Sequence, residues 1–249
     1  MGVVYFMKSY IKKAIALIVI LTLTACATQK QITTEPGGEK LIKSKCSDSE
    51  VEWVDFVMMN DIMYYGEDEE LREFKNFEKG EKIGEVTFKL ADVACSNHRS
   101  KNGHAAYLKI GTPIYEMVGY NKNFRIIAGD KVYQVSENKK AKTISELLDI
   151  EGKAVKLSLE STYDGKHLLD FTEQEKNSFI EEYLHLKHVG FSEIYKSIIH
   201  DEDMVFLRIH LEDGSSFGIS YWLKSNALNP GAYGTENMKS IVESRVNEL

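Results

Sequence analysis

The pentapeptide GSSFG, Gly214 to Gly218, matches the G-x-S-x-G pattern in which a serine, here Ser216, acts as a nucleophile. That chemistry needs a strand before the serine, a helix after it, and an acid and then a histidine later in the chain. Here an alternating, strand-like run follows. The last Asp and the last His are Asp213 and His210, both upstream. The stretch therefore reads as a hairpin turn, and no catalytic residue is assigned. A second group is Glu181, His185 and His188, which share one side of a helical wheel within about 60°. Spacings of i,i+3 and i,i+4 suit transition-metal chelation, which makes His185 and His188 weak metal candidates. No third ligand is in view, so the expectation is a solvated helix face, with no metal and no cofactor. A third group, SNHRSKNGH, gathers His98, Arg99, Lys101 and His104. It is expected to be an exposed loop turned at Asn102-Gly103, with anion contact as the alternative. The last is KSNALNPGAYG, residues 224–234, with Trp222 just before it and Tyr233 inside it. Long loops in compact domains are often functional, and an aromatic side chain is a common interface anchor. Trp222 and Tyr233 are the candidate binding residues.

The elements that must position these groups fall into two parts. Residues 51–142 read as β-rich, a small meander or barrel. VEWVDFVMMNDIMYY has two apolar runs about Asn60-Asp61, and FRIIAGDKVYQV has two about Gly129-Asp130; both are tight-hairpin signals. EVTFKLADV and GTPIYEMVGY also read as strands, while the acidic residues 66–82 read as a loop or short helix. Residues 143–249 read as an α+β part with two helices and antiparallel strands, so the expected class is α+β. Thr143 with Glu146 and Thr172 with Glu175 are capping-box pairs. The first opens a short helix, and the second opens a longer one to about residue 187 with Phe179, Ile180, Tyr183, Leu184 and Leu186 on its apolar side. FSEIYKSII, MVFLRIHL and SFGISYWL read as strands, the last two joined at Asp213-Gly214. A terminal helix is expected from Thr235, burying Met238, Ile241, Val242 and Val246. The boundary near 142 is expected to be either a domain boundary or a seam within one domain.

The start of the chain is of another kind. Lys8, Lys12 and Lys13 precede AIALIVILTLTA, twelve residues without charge. A helix of that length spans about 18 Å, short of the roughly 30 Å hydrocarbon core. A basic segment followed by a short apolar one reads as an export signal over residues 1–25. Its end, Leu23-Thr24-Ala25-Cys26, resembles the lipobox of bacterial lipoproteins. MKSYIKKAIALIVI makes Met7 an alternative start to Met1. The resemblance covers the first 26 residues. It implies that Cys26 receives a diacylglycerol (with palmitate-type acyl chains) and becomes the first residue of the mature protein. Two acyl chains give stable anchoring where one gives only marginal binding. The implied location is the cell membrane or outer envelope, facing outside the cytoplasm. Residues 26–50 then read as a lipidated tether with Pro36, Gly37 and Gly38 at its middle. As a flexible coil it would reach roughly 27 Å.

Without residues 1–25 the chain has 28 Lys+Arg against 38 Asp+Glu, a net charge of −10. That excludes nucleic acid as an expected partner, since phosphates need a basic stripe. With Cys26 acylated, Cys46 and Cys95 remain, and outside the cytoplasm such a pair is expected to form a disulfide. The functional expectation is an envelope lipoprotein with a non-catalytic body that binds a protein, a glycan or a small ligand. The alternative is an envelope enzyme or metal-binding protein.

Overall fold

The computed structural model describes residues 51–66, 68, 73–199 and 204–249. The signal segment, Cys26, the tether and Cys46 lie outside these residues. The described chain has an α+β architecture built on two sheets. The larger contains β1 (Phe56–Met59), β2 (Ile62–Tyr65), β3 (Lys79–Glu85), β4 (Phe88–Lys89), β5 (His104–Ala105), β6 (Pro113–Met117), β7 (Arg125–Ala128) and β8 (Lys131–Glu137). Their spatial order is β3-β6-β7-β8-β2-β1-β5-β4. Neighbours are antiparallel except for β4 and β5, which run parallel.

The order forces the sheet to roll. β3 and β4 are its two outermost strands, yet only Val86 and Thr87 separate them in sequence. Eight strands laid flat would put those edges about 34 Å apart, whereas a two-residue connection spans roughly 10 Å. The backbone around Val86 makes the junction: its N–H donates to the Thr112 carbonyl at 2.9 Å, and its carbonyl accepts from Gly111 N–H at 2.8 Å. The tight turns that set the register are local. Asn60 and Asp61 have φ of 53° and 62° between β1 and β2, the left-handed pair of a primed hairpin turn.

The second sheet, with order β10-β9-β11-β12-β13-β14, contains β9 (Ala154–Glu160), β10 (His167–Asp170), β11 (Met204–Leu211), β12 (Ser216–Trp222), β13 (Ala227–Leu228) and β14 (Ala232–Tyr233), all antiparallel. The helices are α1 (Leu90–Val93), α2 (Ile144–Leu147), α3 (Glu173–His185), α4 (Phe191–Ile194) and α5 (Glu236–Val246). α2 is capped by Thr143, whose hydroxyl accepts from Glu146 N–H; α3 carries the full Thr172–Glu175 capping box; α5 is capped by Thr235. α3 buries Phe179, Ile180, Tyr183 and Leu184, and α5 buries Met238 and Val242.

One apolar core runs from Val57 and Tyr64 in the first sheet through Leu157, Leu207 and Phe217 in the second to Phe179 and Val242 on the helices. Residues on both sides of position 142 contribute to this core. Two readings of the sequence are corrected. FSEIYKSII is not a strand: residues 191–194 form α4, with Tyr195 N–H donating to Phe191 O at 2.9 Å and Ile198 N–H to Ile194 O at 3.1 Å. Phe191, Ile194 and Ile198 are spaced i,i+3,i+7, a helical stripe that its β-branched residues disguise. EVTFKLADV likewise breaks into β4 and the single turn α1. Within the acidic stretch, Phe74 and Phe77 pack over Met117, Ile127 and Val132, and residues 79–85 are β3. β7 is thus covered on both faces, which is why its side chains are all buried.

Candidate functional site

Trp222 ends β12 and Tyr233 ends β14, and the structure brings further aromatic groups to Trp222. The Phe191 ring lies 6.0 Å from the Trp222 ring and 5.9 Å from that of Tyr195. The Tyr233 hydroxyl meets Ser197 Oγ at 2.9 Å. Phe191 and Tyr233 are each 41% exposed and Tyr195 is 67% exposed, so the rings form an open face and not a core. The frame beneath is cross-linked by hydrogen bonds. Val189 N–H donates to Gly231 O at 2.8 Å, Ser225 Oγ donates to Ser197 O at 3.0 Å, and Tyr221 Oη donates to Asn226 Oδ1 at 2.5 Å. The Asn229–Pro230 peptide in this frame is cis. Phe191 and Tyr195 were not among the candidates from sequence. Reading 191–199 by helical spacing would have placed both on α4, but not beside Trp222.

The histidines expected on one helix face separate. α3 ends at His185, whose Nδ1 lies 2.7 Å from the Glu181 carbonyl. His185 and Glu181 line a shallow groove with Glu151 and Ser145. His188 lies beyond the helix and is buried; its backbone N–H donates to Lys142 O, and its Nε2 has no hydrogen-bond partner among the described residues. The wheel geometry fails because Leu186 is extended, so His188 leaves the face it was assigned to. Among the described residues, no group of three His, Cys, Asp or Glu is arranged to hold a metal ion.

Ser216 is the first residue of β12 and is buried, so a strand follows it where an elbow needs a helix. Its neighbour Ser215 belongs to a buried polar node that sequence reading missed. Arg125 on β7 is fully buried. Its guanidinium donates to Ser215 Oγ at 2.7 Å and to Gln134 Oε1 at 2.9 Å, and packs 4.8 Å from the centres of both the Tyr120 and Phe124 rings. Ser215 Oγ and the Ser215 N–H donate in turn to Asp213 Oδ1, and Tyr120 Oη donates to Asp213 Oδ2 at 2.8 Å. Burial opposes the Asp213 charge, but the hydrogen bonds from Ser215 and Tyr120 and the nearby Arg125 outweigh it and hold this carboxyl below its ordinary range. Burial pushes Arg125 the other way, toward easier deprotonation. The node joins the two sheets, and its outer members Tyr120 and Asp213 line a surface cleft with Lys153 and Glu212.

His98 and His104 also come together, stacked on Phe88, and Cys95 nearby is disulfide-bonded with its partner outside the described residues. The loop is thus partly buried where the sequence suggested free exposure. No described helix is long and apolar enough to cross a membrane. No protein-family model, curated protein or solved structure matches this chain, so its function has to be argued from its own side chains.

Proposed function

We propose that this protein is a lipid-anchored envelope protein whose body works by binding, through the face that contains Trp222 and Tyr233. The observation that supports this reading is the cluster of exposed Phe191 and Tyr195 with Trp222, to whose α4 segment Tyr233 is joined through Ser197. Aromatic rings bring large area at low conformational cost, and their hydroxyls add directional contacts. The ligand is a protein, a glycan or a small molecule. The anchor is the acylated Cys26, and residues 27–50 carry the body away from the bilayer. Tyr195 and Tyr233 are the residues to change, because their exposure lets them be truncated without opening the core. Tyr195→Ala combined with Tyr233→Ala should fold as the parent does and lose about 2 kcal/mol of binding or more, roughly 30-fold. The measurement is photo-crosslinking in whole cells from a probe placed at Lys196. An unchanged crosslinking pattern in the double variant would sink the binding face. Cys26→Ala in the same cells should move the protein out of the membrane fraction or leave it unprocessed; wild-type partitioning would sink the anchor independently.

We also propose that Cys95 is closed on Cys46, because acylation removes Cys26 from the three cysteines of the chain. In the chain-entropy model that loop contributes on the order of 4 kcal/mol. Mass spectrometry of the non-reduced membrane-extracted protein should find one linked peptide pair containing both residues. Recovery of Cys46 with an alkylated thiol would exclude it.

A further inference from the structure

Two histidines six residues apart are held ring to ring by elements distant in sequence. His104 lies on β5, which pairs with β1 on one side and with β4 on the other, directly across from Phe88. The residues before it are tied down at several points. Asn102 exchanges two hydrogen bonds with Asp61 in the β1–β2 turn, at 2.7 and 3.1 Å, and Gly103 N–H donates to Met58 O at 2.8 Å. At the other end of the loop, His98 N–H donates to the carbonyl of the disulfide-bonded Cys95. Both imidazoles stack on Phe88, with ring centres 5.2 and 4.8 Å away. The outcome is that His98 Nε2 and His104 Nδ1 face one another at 3.0 Å.

We propose that His98 and His104 form a two-imidazole site for a divalent transition-metal cation, with Cu2+ preferred over Zn2+. Two nitrogens bound to one metal at about 2.0 Å lie roughly 2.8 Å apart at a right angle and roughly 3.3 Å apart at a tetrahedral angle. The observed 3.0 Å lies between the two, so both nitrogens can reach one ion. The affinity order for nitrogen ligands peaks at copper. Binding moves the proton between the two nitrogens to the far ring nitrogen of its own imidazole, so both rings stay neutral and each offers a lone pair to the metal, with solvent completing the coordination. Metal binding needs neutral imidazoles. Lys101 opposes a second cation, so the site is a moderate binder and not a structural cage. This site lies in a different part of the chain from the aromatic face, and its success or failure is independent of that reading.

The experiment is titration of the metal-free, non-reduced protein with Cu2+ at neutral pH, followed by electron paramagnetic resonance. One equivalent should bind, with hyperfine splitting from two imidazole nitrogens. His98→Gln and His104→Gln should each weaken that binding by about tenfold or more, while His185→Gln leaves it unchanged. In the unsubstituted protein, substoichiometric Cu2+ should broaden the imidazole resonances of His98 and His104 before any others. Absence of one-to-one binding overturns the proposal. So does first broadening at other histidines, or affinity held within about twofold in both loop variants.

Discussion

Arg125→Ala is expected to destabilise the fold by about 3–5 kcal/mol, because it breaks a buried charged network from one side only. Ser215 Oγ and Gln134 Oε1 would lose their donor, Asp213 would lose the cation 3.9 Å away, and the space between the Tyr120, Phe124 and Phe217 rings would empty. A shift in the urea midpoint at unchanged slope measures it. Arg125→Lys should not restore the loss, since an ammonium cannot reach Ser215 and Gln134 together or lie flat between rings. A loss below about 1 kcal/mol would mean that Arg125 is a passive filler. The node also has a pH signature. The folded-state pKa of Asp213 lies below its unfolded value, so its contribution is present in full above the ordinary carboxylate range of about 4 and fades as pH falls through the folded value.

Gly231→Ala should cost about 2–4 kcal/mol and take the aromatic face with it. A Cβ at this position would sit 2.3 Å from the Gly190 carbonyl carbon, 2.5 Å from its Cα and 2.6 Å from the Phe191 nitrogen. All three are backbone atoms, so no side chain can turn aside. The φ of 142° adds strain for any residue with a Cβ. Relief requires the β13–β14 connection to part from the start of α4, and Phe191 is the first residue of that helix. Loss of stability and loss of ligand capture should therefore appear together. Gly165→Ala is the control: its φ is 68° with nothing within 4 Å, so only left-handed backbone strain remains, about 1–2 kcal/mol. Equal effects at the two sites would remove close backbone approach as the cause. Thermal melts of the two variants side by side make the comparison.

What was legible in the sequence was local. Asn60-Asp61, Gly129-Asp130 and Asp213-Gly214 mark turns through backbone chemistry contained within two residues. Thr143, Thr172 and Thr235 mark helix starts because their hydroxyls bond amides three positions on. What was hidden depends on partners far along the chain. Arg125 looks like a strand residue among Phe124, Ile126 and Ile127; only the approach of Ser215, ninety positions later, explains a buried guanidinium. Trp222 and Tyr233 could be named from loop composition, but Phe191 and Tyr195 join them by tertiary packing. His98 and His104 were visible as a cluster, yet their alignment rests on a parallel β4–β5 pairing that no short-range pattern encodes. His188 was misplaced by three residues of helix that do not form.

The rolled sheet bears on crowding. Proteins fixed to a bilayer by their acyl chains meet one another at high local concentration and in similar orientations. Open strand edges in that setting are templates for cross-chain hydrogen bonding and aggregation. Here the two outermost strands of the larger sheet are brought back toward each other through Val86, whose backbone groups are taken by Gly111 and Thr112. The smaller sheet exposes only short borders, β10 with four residues and β14 with two. If the body is anchored as proposed, the outer edge of β3, seven residues long and paired on one side with β6, is the longest strand border among the described residues that a neighbouring copy could meet.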